Sequence, residues 1–122
     1  MHELKLTANT DGTGAATTDG PTGIIGRLYA IQVLIGTLAS GAADLTISVQ
    51  GHDASKTLLT LTNISANGLY YPRDLVHDAT GNALTGTGGG DRALPLCVGV
   101  PRVVVADGGA SHTGSVIFFW ED

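Results

Sequence analysis

Apolar and polar residues alternate with a period of two through much of the chain, the spacing that sends successive side chains to opposite faces of a β-strand. Leu4, Leu6 and Ala8 alternate with Lys5, Thr7 and Asn9, and predict a short half-buried strand. Leu45, Ile47 and Val49 alternate with Thr46, Ser48 and Gln50. A turn-rich stretch follows at 51–55, then the run 57–62 (TLLTLT), so the two runs predict a β-hairpin with one hydroxyl-rich wet face. Residues 100–106 and 115–121 predict a second hairpin, in which Val116, Phe118 and Trp120 share one face and Ile117 and Phe119 the other. The strongest strand is 24–35 (IIGRLYAIQVLI), apolar on both faces through most of its length. Such a strand suits the centre of a sheet or a position covered by a neighbouring subunit. Gly26 and Gly36 mark candidate bends in it or at its end.

Between these runs the pattern weakens. Residues 9–23 (NTDGTGAATTDGPTG) carry only small and turn-forming side chains and read as a long Gly/Thr-rich loop or an extended arm. Short strands are expected around 69–71 and near 82–84, and 85–90 (TGTGGG) reads as a loop. The count comes to about seven or eight strands in one domain over 1–122. The expected fold is all-β: a small antiparallel β-sandwich, jelly-roll-like in topology.

Composition sharpens this. The chain has 18 glycines, but only two glutamates and two lysines among its 122 residues. The straight side chains that make exposed helix faces easy to form are nearly absent. Aromatics are 5% of the chain, so its core must be built from Val, Ile, Leu and Ala. A core of that kind in a chain this size is marginal, and burying more apolar surface in an oligomer is one remedy.

The formal charge is −5, and the six cations, Lys5, Arg27, Lys56, Arg73, Arg92 and Arg102, are scattered. Nucleic-acid binding needs clustered cations, so that class is set aside. The first six residues alternate instead of opening an apolar run, unlike a secretory signal. The stretch 23–38 is interrupted by Arg27, Gln32 and Thr37 and is too short for a membrane span. A soluble protein made in the cytoplasm is expected.

No constellation in the sequence specifies an enzyme, a metal or a cofactor. His52-Asp53 and His77-Asp78 invite a metal reading, with His112 and Asp107 as further ligands. Adjacent strand residues point to opposite faces, however, and both pairs lie where turns favour Asp anyway. Ser111, His112 and Asp107 hold the residue types of a hydrolytic triad, without the strand–Ser–helix elbow that would present a nucleophile. The glycines of 86–90 lack the Gly-Lys-Ser/Thr that grips phosphate. Cys97, the one cysteine, lies in an apolar run and reads as a small buried hydrophobe. Tyr70-Tyr71-Pro72-Arg73 is different: Tyr and Arg are enriched where proteins bury surface against partners. It reads as an interface or as ordinary packing at a strand end. The interface set taken from the sequence is Tyr70, Tyr71 and Arg73, with Ile25, Tyr29 and Ile31 of the two-faced strand.

The order of these elements, with the phrases DLTISVQ, KTLLTLTN, NISANGLYYPRD, VHDATGNAL and the closing IFFWED, resembles the small structural proteins encoded beside the major capsid protein of tailed bacteriophages. The resemblance covers roughly 24–122 and is one of texture, without an invariant chemical signature. It implies a capsid decoration (cement) protein: a non-enzymatic homotrimer on the outer surface of the virion shell, with the major capsid protein as partner. The Gly/Thr-rich stretch 9–23 stands where better-known members have a proline-rich arm. A reading from another class is a carbohydrate- or receptor-binding module, for which the few aromatics would have to supply stacking platforms. A small cupin-type enzyme would need the His/Asp set to converge.

Overall fold

The computed structural model describes residues 1–51, 55–75, 79–81 and 92–122. Among them are ten strands and no helix. In chain order these are β1 (His2–Asn9), β2 (Ala16–Asp19), β3 (Ile24–Leu34), β4 (Ala43–Gln50), β5 (Ser55–Ile64), β6 (Gly68–Tyr70), β7 (Asp74–Leu75), β8 (Arg92–Ala93), β9 (Leu96–Ala106) and β10 (Thr113–Glu121). Eight of them join in one continuous hydrogen-bonded path, β1-β10-β3-β9-β4-β5, with β2 added on β9 and β6 on β3; β7 and β8 pair separately. Every pairing is antiparallel.

The path folds into two layers because β9 serves both. Its first residues, Leu96–Gly99, pair with Arg27–Ile24 of β3. From Val100 onward it pairs with β4, and residues 102–105 pair with β2 on the opposite edge. The crossing falls at Gly99, whose φ of +144° disfavours a side chain. A Cβ there would also run into the Gln50 carbonyl. Only glycine lets the backbones approach this closely at the corner.

The inner faces close on one apolar core. Leu6 and Ala8 come from β1, Ile24, Leu28, Ile31 and Val33 from β3, and Val116 and Phe118 from β10. The other layer supplies Leu45, Ile47, Val49, Val103 and Val105. Phe118 is the largest fully buried side chain, and β-branched and leucine side chains fill most of the rest. The sequence thus has the core it can afford, assembled from alternating strand positions as the periodicity requires. This is the small all-β, sandwich-like arrangement expected. The strand order establishes the antiparallel layers, not a jelly-roll winding.

Two expectations are corrected. The stretch 9–23 is not an arm: β2 lies within it and pairs with β9, and the Asp11 carboxylate caps the turn before β2 by accepting from the Thr13 amide and hydroxyl (2.8 and 2.7 Å) and the Ala15 amide (3.1 Å). Ile31 is not on an outward face. Phe119 pairs with Ala30 and Trp120 with Leu28, leaving Tyr29 as an extra, bulged residue. The bulge shifts the alternation by one, so Ile25, Arg27 and Tyr29 face out while Ile31 and Val33 face in. The expected strand near 82–84, the loop 85–90 and both His-Asp pairs lie outside the described residues.

The connections at the end of β3 are knitted together. Thr10 N donates to His112 O (2.8 Å), Gly108 N to Gly14 O (2.9 Å), Ala39 N to Gly108 O (2.9 Å) and Thr37 N to Thr113 O (2.8 Å). Three connections, 10–15, 35–42 and 107–112, are thereby held as one unit at this end.

Candidate interaction surface

The first half of β3 presents its odd-numbered residues outward, and the start of β9 presents Leu96 and Val98 beside them. Ile25 stands opposite Val98 and Arg27 opposite Leu96. Ile25 is 73% exposed, Leu96 60% and Val98 55%. Three neighbouring aliphatic side chains this open on strand positions form a patch, unlike the isolated apolar residues that any surface carries. The ridge of Ile25 and Val98 borders a shallow open groove floored by Gly23, Gln50, Gly51 and Gly99.

Toward the C-terminal end of β3 the patch runs into an aromatic–cationic group. The Arg73 guanidinium lies 6.0 Å from the centre of the Tyr29 ring and 5.9 Å from that of Tyr71. Its Nη1 donates to the carbonyls of Tyr29 (3.1 Å) and Pro72 (2.7 Å). These contacts fix the guanidinium plane, while Nε and Nη2 make no hydrogen bond among the described residues. Tyr29 is 43% exposed and Tyr71 55%. The bulge at Tyr29 builds this group: it turns the ring outward where Arg73 reaches across from the chain after β6. Below the patch, Lys56 of β5 pairs with Asp74 and also donates to the Leu96 carbonyl (3.3 Å), tying β5 to the start of β9.

Of the six interface residues taken from the sequence, Ile25, Tyr29, Tyr71 and Arg73 meet on this strip. Tyr70 and Ile31 face each other across the β6–β3 pairing; Ile31 is fully buried and Tyr70 packs against the core. Sequence reasoning missed Leu96 and Val98. Their alternation with Cys97 was the available signal, and Cys97 is the inward member, fully buried. Burial pushes its thiol up from the ordinary cysteine value, as expected of a structural residue.

Among the described residues the remaining candidate chemistry does not converge. Ser111, His112 and Asp107 share the β9–β10 connection, but no hydrogen bond among the described residues links their side chains. His112 lies against Gly109, and its backbone is held by Thr10. Among the described residues no three His, Cys, Asp or Glu side chains gather as a metal set.

The best-built exposed feature is therefore a strip of Ile25, Val98, Leu96, Arg27, Tyr29, Arg73 and Tyr71, apolar at one end and aromatic–cationic at the other. Comparison of the chain with protein-family models, with curated proteins and with solved structures finds no match to any of them.

Proposed function

We propose that this protein is a non-enzymatic structural component of a tailed-phage virion, a decoration protein that assembles as a homotrimer on the outer surface of the capsid. The observation that carries the proposal is the strip. An apolar patch with a Tyr–Arg–Tyr group at its edge has the composition of a buried protein–protein contact. The textural resemblance in the sequence supplies the class of assembly. Such a protein acts by mass action: binding only the assembled, expanded shell lowers that shell's free energy, and many copies bound together turn modest contacts into a strong clamp.

The experiment is co-sedimentation with assembled, expanded heads of its own phage. Saturable pelleting, together with a rise in the temperature at which the heads rupture, is expected. No pelleting at concentrations far above those of the heads overturns the reading. The alternative, a carbohydrate-binding module, draws less support from this surface. Arg73 already lies over the two exposed tyrosine rings that a sugar would stack on.

A further inference from the structure

The strip has a counterpart on the same molecule. Residues 9–15, 35–44 and 106–114 contain no lysine or arginine, but they contain Asp11, Asp44 and Asp107. The backbone hydrogen bonds among Thr10, Gly14, Ala39, Gly108 and His112 bring these segments together. Asp11 and Asp107 are exposed there. Asp11 uses Oδ1 for its local hydrogen bonds, and neither its Oδ2 nor the Asp107 side chain makes a hydrogen bond among the described residues. This anionic end follows β3, whereas the strip lies along the start of β3. Ile25 lies ten residues before Ile35 and Tyr29 six, which puts about 20–33 Å between the strip and the anionic end at some 3.3 Å per strand residue.

We infer that the strip is the seat for the anionic loop end of a second copy of this chain, so that copies join head to tail. The inference rests on the homomeric part of the function proposed above and assigns its surfaces. Charge decides the choice of occupant. Copies carrying −5 each repel one another, so a contact between them needs a local cation aimed at a local anion. Arg27 has Glu121 as its cross-strand neighbour on β10, so among the described residues the strip's surplus charge is that of Arg73, whose Nε–Nη2 edge makes no hydrogen bond among them. A guanidinium held flat in this way is suited to a carboxylate. A patch whose surplus charge is positive is matched by an acidic surface better than by itself, which selects a heterologous contact over a two-fold one. Heterologous contacts close into rings when the rotation allows, as a trimer requires. Ile25, Leu96 and Val98 supply the apolar area beside the ion pair.

The test is the solution mass by light scattering and sedimentation velocity across protein concentration, for the wild type, Arg73→Glu, Ile25→Glu and Asp11→Asn/Asp107→Asn. Asn keeps the Oδ1 acceptor of Asp11 and tolerates the φ of +54° at Asp107, and all altered side chains are exposed or partly so. Circular dichroism establishes that each variant is folded. The expected result is a wild-type oligomer, and at least a tenfold higher dissociation constant for each variant. Added sodium chloride should weaken the wild-type assembly. A wild-type monomer at about 100 µM overturns the inference, since a seat of this composition supports micromolar contact. So does an oligomer indifferent to Arg73→Glu and Ile25→Glu, or one that responds to these but not to Asp11→Asn/Asp107→Asn. Failure of the capsid reading is separable: an oligomer with these sensitivities that never pellets with heads leaves the head-to-tail contact standing.

Discussion

Thr10 and His112, 102 positions apart, hold each other by reciprocal hydrogen bonds: the Thr10 amide donates to the His112 carbonyl at 2.8 Å, and the His112 amide donates to the Thr10 hydroxyl at 2.8 Å. The same hydroxyl donates to the Gly109 carbonyl at 2.5 Å. Thr10 is one of two buried polar residues among those described and clasps the β1–β2 connection to the β9–β10 connection. Replacing it by valine preserves shape and removes the hydroxyl, leaving a partly buried amide and carbonyl without a partner. Thr10→Val is expected to lower stability by about 1–3 kcal/mol in urea unfolding. A value within error of the wild type would show that water replaces the hydroxyl.

Gly99→Ala tests the corner of β9. The added Cβ would meet the Gln50 carbonyl, and the φ of +144° is one that L side chains rarely adopt. A cost of about 1–3 kcal/mol is expected, read as a lower urea midpoint at unchanged slope. Gly41→Ala shares the positive φ (+79°) but has nothing near its Cβ, and should cost less. Equal losses at the two positions would show that backbone strain alone, without the approach to β4, sets the cost.

Acid should loosen β2 before the core. Arg102 grips Asp19 through Nε–Oδ1 at 2.6 Å and Nη2–Oδ2 at 3.1 Å, and this hydrogen-bonded pairing holds the Asp19 carboxyl below the ordinary 3.8. Asp11 is lowered too, first by the Thr13 hydroxyl and then by the Ala15 and Thr13 amides. A carboxylate with a lowered native value adds stability that is whole above its unfolded value and lost as pH falls through the native one. Amide exchange at 16–19 should therefore accelerate below about pH 4, relative to exchange in β4. Asp19→Asn should remove much of that dependence while changing the melting temperature only slightly at neutral pH, because an exposed pair is screened by solvent and salt. Exchange in β2 and β4 rising in parallel would contradict this.

Cys97 should be inert in the native protein. Its side chain is fully buried, with Sγ 4.0 Å from the Pro95 carbonyl, and its thiol is raised by desolvation. Reaction with an aromatic disulfide reagent at pH 8 is expected to be slow and to speed up greatly in denaturant. Rapid stoichiometric labelling of the native protein would place the thiol at the surface.

What the sequence made legible, and what it hid, follows from whether apolar alternation was the force that shaped each element. β4 was readable because Leu45, Ile47 and Val49 all enter the core, and β10 because Val116 and Phe118 do. β2 has no apolar rhythm; it is held by pairing with β9 and by Arg102 on Asp19, both long-range. On the strip, alternation alone set Ile31 on the same face as Ile25 and Tyr29. The bulge that reverses it is a property of the β3–β10 register and leaves no mark in β3's own residues. Leu96 and Val98 escaped notice because strand periodicity names two faces without saying which one is wet.

The passage of β9 through both layers also sets how the molecule comes apart. Stripping β9 from β3 pulls at the same backbone that carries β4 and β2, so neither layer can lose its part of β9 without disturbing the hydrogen bonds of the other. Heat should then melt the two layers in a single step, with the calorimetric and van't Hoff enthalpies agreeing.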